Sequence, residues 1–214
     1  MNPQDSQIHC WTVWVLMAPQ PSIGRVESVE PRPAASVILL RGGVVATLEV
    51  LLARRNPASR FMGGAWVFPG GALEPGDETL RSAAVREVAE EAGLELPDPA
   101  ALIPFSRWIT PKPLPIRFDT HFFLAVAPEA QEPRVDGAEI VDWGWFAPAA
   151  ALAAQRDGTL DLVFPTIKHL EQLLPFATAA ELMAWARGRD IVPVEPELRG
   201  EGEHARLFLP GEPR

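Results

Sequence analysis

Several kinds of residue are scarce in this 214-residue chain, and each absence excludes a class of protein. Cys10 is the one cysteine, which excludes an internal disulfide and a cysteine-based zinc site and fits a reducing compartment. Positive charge is in deficit, with a net charge of −9, and this argues against non-specific binding of nucleic acid because a phosphate backbone demands clustered cations. The composition therefore predicts a cytoplasmic protein that does not bind nucleic acid.

Long hydrophobic runs are also lacking. The apolar segment Ile8–Ala18 has eleven residues, too few to span a bilayer, and no Lys or Arg precedes it as in a signal peptide. Proline recurs through residues 19–33, and this pattern predicts a linker. We expect no membrane association, a loosely ordered extension over 1–33, a folded domain over 34–190, and a loosely held tail over 191–214.

Short apolar runs and helical patterns alternate through the folded part. The predicted strands are Ala34–Arg41, Leu48–Arg54, Ala65–Phe68, Leu102–Ile109, Arg117–Val126 and Glu139–Phe146. The predicted helices after the central one are Pro148–Gln155, Pro165–Leu174 and Thr178–Arg187. Strands interleaved with one central and several late helices predict an α/β protein, an α/β/α sandwich around a mixed sheet with extra C-terminal helices.

The densest acidic segment runs from Glu74 to Glu95, where seven carboxylates stand against two arginines. Its pattern predicts a helix over 77–92 that Asp77 caps at the start and Gly93 ends in the left-handed conformation. This helix therefore carries a large share of the negative charge of the chain.

Three carboxylates of this helix, those of Glu87, Glu90 and Glu91, fall within an arc of about 100°. Near the negative end of the helix dipole, each costs about 0.3–1 kcal/mol unless a cation neutralises it. Mg²⁺ prefers carboxylate oxygens, so the arc is typical of a divalent cation site; the alternative is a solvated acidic helix face. The preceding turn, Phe68–Gly71, would bring the backbone close to a ligand.

The same segment resembles the signature of the Nudix hydrolases, G-x5-E-x7-R-E-U-x-E-E-x-G-U, in which U is a bulky aliphatic residue. The matching positions are Glu78, Arg86, Glu87, Val88, Glu90, Glu91, Gly93 and Leu94. One departure is that six residues separate Gly71 from Glu78, so that Asp77 takes the five-spaced position. The resemblance implies the sandwich fold and hydrolysis of a diphosphate joined to another group.

The resemblance also implies the roles of individual residues. Glu87, Glu90 and Glu91 would hold one to three Mg²⁺ or Mn²⁺ ions, together with the carbonyl of Gly70 or Gly71. Arg86, one of the expected catalytic residues, and Glu78 would orient the helix ligands and would not contact substrate. In Nudix relatives a glutamate often lies before the strand that ends in Trp-Phe, which makes Glu139 the candidate general base. Asp136 or a helix glutamate is the alternative.

Residues 51–71 resemble the motif of the coenzyme A diphosphatase branch, L-L-T-x-R-[SA]-x3-R-x3-G-x3-F-P-G-G. The positions in register are Leu51, Leu52, Arg55, Arg60, Gly64, Phe68, Pro69, Gly70 and Gly71, whereas Ala53 and Asn56 depart from it. Arginine binds phosphates bidentately, and coenzyme A carries a 3′-phosphate besides its diphosphate. We therefore expect Arg54, Arg55 and Arg60 to bind substrate, with Gly70 and Gly71.

Segments across 34–174 are also similar to acyl-coenzyme A diphosphatases of the animal peroxisomal type and their bacterial relatives, although a long insertion and a peroxisomal address are missing. The resemblance favours coenzyme A or acyl-coenzyme A as substrate. ADP-ribose, NADH or a nucleoside triphosphate is the alternative, and a module that binds a nucleotide without catalysis is a third. A homodimer is one assembly that the sequence permits. We expect His121, Trp66 and Trp108 to serve packing.

Overall fold

Ten strands and four α-helices are formed by the residues that the computed structural model describes, namely 29–42, 47–59, 61–112, 114–200 and 205–213. The strands are β1 Arg32–Arg41, β2 Glu49–Arg55, β3 Trp66–Val67, β4 Gly70–Ala72, β5 Ile103–Ile109, β6 Phe118–Val126, β7 Ile140–Phe146, β8 Pro193–Val194, β9 Glu197–Arg199 and β10 Arg206–Phe208. The helices are α1 Leu80–Ala92, α2 Pro148–Arg156, α3 Phe164–Leu173 and α4 Ala179–Ala186, and a 3₁₀ turn, Pro99–Ala101, precedes β5.

The strand β1 lies at the centre of the sheet, and its residues 34–40 are all buried. It pairs in parallel with β6, from Arg32 opposite Phe118 to Leu40 opposite Val126. The strand order is β3-β2-β1-β6-β5-β8, and β7 adds to β2 in the antiparallel sense. The sheet is therefore mixed, as the sequence predicts.

The strand β4, which was not predicted from the sequence, positions the glycine turn. It pairs with the first half of β1, with Gly71 opposite Ala35 and Gly70 opposite Ser36, whereas β2 meets the far end of β1. Two glycines and an alanine carry no strand signal, since strands favour β-branched and aromatic residues. The pairing fixes Gly70 and Gly71 at the sheet edge.

Two hydrophobic cores lie on opposite faces of the sheet because successive side chains of each strand alternate between faces. On one face, Val37 and Leu39 pack with Val88 and Ala92 of α1. On the other face the core contains residues of β1, β2, β5 and β6 together with α2, α3 and α4. The predicted α/β/α sandwich with C-terminal helices is confirmed. Within the described residues, no helix is both long and apolar enough to cross a membrane.

The ends of the chain differ from the expected boundaries. Residues 1–28 of the extension, including Ile8–Ala18, lie outside the described residues, and β1 already begins at Arg32. In the tail expected over 191–214, the described residues include paired strands: β8 pairs with β5, and β9 pairs with β10. Arg117, which is buried, donates to Glu195 Oε1 at 2.9 Å and so ties the tail to the domain.

His169 is a fully buried core residue of α3. Its Nε2 lies 2.6 Å from Ser106 Oγ, and the rings of Phe105, Trp108 and Phe122 surround it. Burial disfavours the charged imidazolium and lowers the pKa of His169 to about 3. The side chain is therefore neutral near neutral pH and serves packing.

This buried histidine predicts a loss of stability in acid. An unfolded histidine takes up its proton near pH 6.5, whereas folded His169 remains neutral down to about pH 3, so stability falls as pH falls through this window. Between pH 8 and pH 5 the loss amounts to about 2 kcal/mol. Other groups titrate in the same range, among them Glu91, whose raised pKa has the opposite effect on stability, so the comparison with His169→Gln isolates the histidine. Urea unfolding at both pH values should show that the difference in unfolding free energy between the wild type and His169→Gln changes by about 2 kcal/mol, with the wild type losing more in acid. An equal pH dependence in the two proteins would contradict the assignment.

Candidate active site

The helix α1 is set on the sheet by its caps and its apolar face. Thr79, not the predicted Asp77, is the N-cap. Its hydroxyl accepts from the Ser82 amide, and its own amide donates to the Ser82 hydroxyl. Gly93 adopts the left-handed conformation with φ of 62° and ends the helix, as predicted. The buried face includes Val88 and, unexpectedly for an acidic residue, Glu91.

Glu91 is a buried carboxylate, with 4% of its surface exposed. The Gly70 amide donates to its Oε2 at 2.8 Å. Desolvation raises the pKa of Glu91 to about 7, the Gly70 bond opposes that rise, and the charge of Glu87 adds to it. Among the described side chains, no cation forms an ion pair with this carboxylate. Burying an ionised acid in this position lowers the stability of the fold unless a positively charged ligand binds to it.

Glu87 lies one helical turn before Glu91 and faces the next residue of β4, Gly71. A Cβ atom added at Gly71 would lie 2.6 Å from the carboxyl carbon of Glu87, so a larger residue there would displace this carboxylate. Arg86 Nη1 donates to Glu87 Oε1 at 2.9 Å. Burial raises the pKa of Glu87, and the Arg86 charge opposes that rise. The two glycines and the two glutamates therefore form one compact cluster.

Arg86 connects the loop before α1 to the glutamates of α1. It donates to both carboxylate oxygens of Asp77, at 3.1 and 3.0 Å, and to the Ala72 carbonyl at 3.1 Å. Its Nη1 also donates to Glu87 and, at 2.7 Å, to Glu90. These carboxylates raise the pKa of Arg86, so the guanidinium stays charged. The predicted orienting role of Arg86 agrees with these contacts.

Glu90 is turned away from the cluster. Its side chain is 58% exposed and pairs with Arg86, which lies one turn earlier on the helix. Among the described residues, no group of three or more His, Cys, Asp or Glu side chains is close enough together to hold a metal ion. The structure therefore brings Glu87 and Glu91 together and leaves Glu90 at the rim, so the expected ligand trio is not assembled in this side-chain arrangement.

The loop before β7 brings a fourth carboxylate near the cluster. The charge of Glu139 contributes to the raised pKa of both Glu87 and Glu91, and the Glu139 side chain is exposed. Asp136, the alternative base, instead accepts the amides of Glu139 and Ile140 at 2.9 Å each, which lowers its pKa. Asp136 thus shapes the loop, whereas Glu139 leaves its carboxylate exposed near the cluster.

The three predicted arginines are placed differently. Arg55 at the end of β2 donates from Nε to the Phe61 carbonyl at 3.3 Å, and its charge lowers the pKa of Glu91, so it lies at the cluster. Arg54 is the preceding strand residue, and alternation directs it to the opposite face, where its Nε is buried without a hydrogen-bond partner among the described residues. Arg60 lies outside the described residues.

Two side chains of the site were missed from the sequence. Asp77 anchors Arg86, and the signal for this role is its five-spaced position after Gly71. Asn56 holds the Glu139 loop: its Nδ2 donates to the Ala138 carbonyl and its amide to the Glu139 carbonyl, both at 2.7 Å. Two of the departures of this chain from the motifs, Asp77 and Asn56, are therefore structural contacts around the cluster.

The anchoring role of Asp77 predicts a contrast with its neighbour. Asp77→Asn removes a largely buried charge from a bidentate pair and should lower the free energy of unfolding by about 1–2 kcal/mol. Glu78→Gln changes an exposed side chain and should have an effect within about 0.5 kcal/mol. Urea unfolding of the two variants checks both values. Equal effects would show that Arg86 does not depend on Asp77.

Of the remaining aromatic and histidine candidates, the two tryptophans lie in the core and His121 does not. Trp66 meets Phe146 edge-on with ring centroids 5.5 Å apart, and Trp108 is buried against His169. His121 lies half-exposed on β6, with Nε2 3.9 Å from Asp119 Oδ1, and burial lowers its pKa. Trp66 and Trp108 are thus core residues, as expected.

The cluster fits a hard divalent cation in its chemistry. Glu91 is buried without a cationic ion-pair partner among the described side chains, Glu87 is its half-buried neighbour, and both have raised pKa values that positive charge would offset. The remaining groups nearby, Glu139 and the β4 backbone, are also oxygen donors, the type that Mg²⁺ and Mn²⁺ prefer.

Comparisons with known proteins find related sequences and structures. The NUDIX domain family matches residues 30–165, which is more than half of the chain. A Caenorhabditis elegans protein assigned as nudix hydrolase 7 is 29% identical over 191 residues, covering 71% of this chain and 63% of that protein. The crystal structure of a NUDIX hydrolase from Alicyclobacillus acidocaldarius is 28% identical and superposes with a TM-score of 0.65 over 73% of this chain and 96% of that chain.

Two relatives have names that state a substrate. A Bos taurus m7GpppN-mRNA hydrolase is 33% identical over 124 residues, covering 51% of this chain and 41% of its own length. A human acyl-coenzyme A diphosphatase is 32% identical over 101 residues, covering 46% of this chain and 27% of its own length. The chain thus spans less than two thirds of each of these curated relatives.

Proposed function

Since the chain belongs to the NUDIX domain family, whose hydrolases generally use divalent metal ions, we propose that it is a metal-dependent diphosphatase with its centre at Glu87, Glu91, Gly70 and Gly71. The observation that carries the proposal is the buried carboxylate of Glu91, which the Gly70 amide holds beside Glu87 without a cationic ion-pair partner among the described side chains. Such an acid suits a site that binds Mg²⁺ or Mn²⁺ together with a diphosphate.

The residues of the chain divide the work of this reaction. When bound, Mg²⁺ or Mn²⁺ supplies positive charge to the diphosphate oxygens and acidifies water at the site. The ligands would be Glu91, which the Gly70 amide holds, and Glu87, which packs against Gly71, and the Gly71 carbonyl is a further ligand candidate. Glu90 joins them when its side chain leaves Arg86, the i,i+4 partner that holds it at the rim.

The proton and the substrate charge are handled by groups around this pair. Glu139, exposed on its loop and close enough to influence both helix glutamates, accepts the proton of the attacking water. Arg55 lies on the same side of the sheet and supplies positive charge for a substrate phosphate. Arg86 keeps Glu87 in position through its hydrogen bond and does not contact substrate in this scheme.

Coenzyme A or an acyl-coenzyme A is the substrate that the chain favours, with 3′,5′-ADP and (acyl-)phosphopantetheine as products. Support comes from the motif over 51–71, from the placement of Arg55 at the cluster, and from the similarity to a protein named acyl-coenzyme A diphosphatase. The departure at Asn56 does not weaken this reading, because Asn56 is occupied in holding the Glu139 loop.

Another nucleoside diphosphate derivative is the second candidate. The departure at Ala53, a buried β2 residue, and the similarity to a protein named for a different substrate, the m7GpppN-mRNA hydrolase, favour it. ADP-ribose, NADH and nucleoside triphosphates would present the same kind of diphosphate linkage to the cluster. They differ from coenzyme A in the group attached to that linkage.

A substrate panel with product identification tests the proposal. The protein is incubated with Mg²⁺ and coenzyme A, dephospho-coenzyme A, acetyl-coenzyme A, ADP-ribose, NADH or ATP, and the products are identified by mass. We expect 3′,5′-ADP and phosphopantetheine from coenzyme A, lower kcat/KM for dephospho-coenzyme A, and no product when EDTA is present. Cleavage of ADP-ribose or NADH alone would favour the second candidate. No cleavage of any compound would contradict the enzymatic proposal.

A further inference from the structure

One hydroxyl interrupts the buried apolar run of β1. Ser36 is 5% exposed and stands between Ala35 and Val37, both 0% exposed. A hydroxyl in such a place is costly unless it is hydrogen-bonded. Its Oγ donates to the Pro69 carbonyl at 2.9 Å and lies 3.4 Å from the Phe68 carbonyl. The hydrogen-bonding capacity of the hydroxyl is therefore used by the turn that leads into β4.

The bond to Pro69 acts on the same peptide unit that holds Glu91. The carbonyl oxygen of the Pro69–Gly70 peptide accepts from Ser36 Oγ and from the Val37 amide, each at 2.9 Å. The N–H of that peptide donates to Glu91 Oε2 at 2.8 Å. A trans peptide is planar, so two donors that fix the carbonyl also fix the direction of the N–H.

Close packing limits how the Pro69–Gly70 peptide can move to replace the Ser36 hydrogen bond with another. A Cβ atom added at Gly70 would lie 2.6 Å from Ser36 Cα and 2.7 Å from Ser36 Cβ, so the two backbones are already in contact. The Val37 amide alone would let the peptide plane rotate about a single hydrogen bond. The Ser36 hydroxyl supplies the second point of attachment.

We propose that Ser36 is a positioning residue for the diphosphatase site: through the Pro69–Gly70 peptide it directs the Gly70 N–H that orients Glu91. This inference rests on the proposed function. Ser36 touches neither Glu91 nor substrate, so its effect is exerted through the orientation of the peptide alone. The chain thereby links a strand of the core to a carboxylate of the site by two consecutive hydrogen bonds.

The test combines a substrate-free readout with kinetics on Ser36→Ala. In the metal-free protein, the Gly70 amide proton should move upfield in an ¹⁵N–¹H spectrum and exchange faster with solvent, while amides of β2 keep their wild-type rates. With coenzyme A and Mg²⁺, kcat should fall roughly tenfold or more with KM within about twofold, the pattern of a misplaced catalytic group. Ser36→Cys, which retains a weaker donor of similar size, should lie between.

A matched control removes another buried hydroxyl: Thr166→Val on α3 should leave both the Gly70 signal and kcat unchanged. A wild-type Gly70 signal in Ser36→Ala, or a shifted signal with wild-type kcat, would overturn the positioning role. Absence of diphosphatase activity in the wild type would contradict the proposed function instead. The two failures are distinguishable because the spectrum needs neither metal nor substrate.

Discussion

Glu91→Gln is expected to lower kcat at least about 100-fold, the scale for losing one preorganised electrostatic contact at a reacting centre. Glutamine keeps the size of the side chain and an oxygen for the Gly70 amide, so the fold should remain intact. It removes the negative charge that a divalent cation needs at the buried position. Initial rates of product formation from the substrate identified by the panel, at saturating Mg²⁺, measure the effect.

The matched control for this variant is Glu95→Gln, an exposed carboxylate just beyond the end of α1. It should retain wild-type kcat within about twofold, because nothing in the cluster contacts it. Circular dichroism and urea unfolding of both variants check that the fold persists. Wild-type activity in Glu91→Gln would refute its assignment as a ligand.

Gly71→Ala is expected to reduce kcat by about 100-fold for a steric reason, since a displacement near 1 Å of a catalytic group has that cost. The added Cβ would lie 2.6 Å from the Glu87 carboxyl carbon, so either the carboxylate or β4 must move. The same initial-rate measurement at saturating Mg²⁺ reports the loss, and the metal requirement should rise as Glu87 is displaced.

Gly76→Ala is a close control, because nothing lies within 4 Å of a Cβ atom at that position in the same loop region. It should behave as the wild type. Activity of Gly71→Ala within threefold of the wild type would show that the approach of Gly71 to Glu87 is not needed for the reaction.

Much of the fold was predictable because its signals are local. Runs of aliphatic residues predict β1, β2, β5, β6 and β7 to within two residues at each end, and Gly93 predicts the end of α1. The start of α1 was misplaced because Asp77, a good N-cap by type, is taken by Arg86, which leaves the cap to Thr79. Competition between two roles for one side chain is not visible in residue spacing.

Pairing over long distances explains the other differences. The strand β4 exists because Gly70 and Gly71 meet β1. In the tail, β8 exists because β5 offers an open edge, and β9 and β10 exist because they pair with each other. Arg117 binds Glu195, which lies between β8 and β9. None of these segments has a strong intrinsic preference, so tertiary context decides their conformation.

The site was predicted only in part, because local periodicity is visible in the sequence and tertiary contacts are not. The arc on α1 correctly groups Glu87 with Glu91, because helical periodicity alone relates them. The rotation of Glu90 toward Arg86, the separation of Arg54 from Arg55, and the use of Asp77 as the anchor depend on neighbours brought in by the fold. The roles of these residues in catalysis remain predictions.

The most direct test of the central claim, that Glu87 and Glu91 form a divalent cation site, is calorimetric titration with Mn²⁺. The wild type should take up at least one ion per chain in the absence of substrate. The double variant Glu87→Gln/Glu91→Gln should show no uptake in the same concentration range while unfolding cooperatively like the wild type. Equal uptake by the folded double variant, or none by the wild type, would contradict the account.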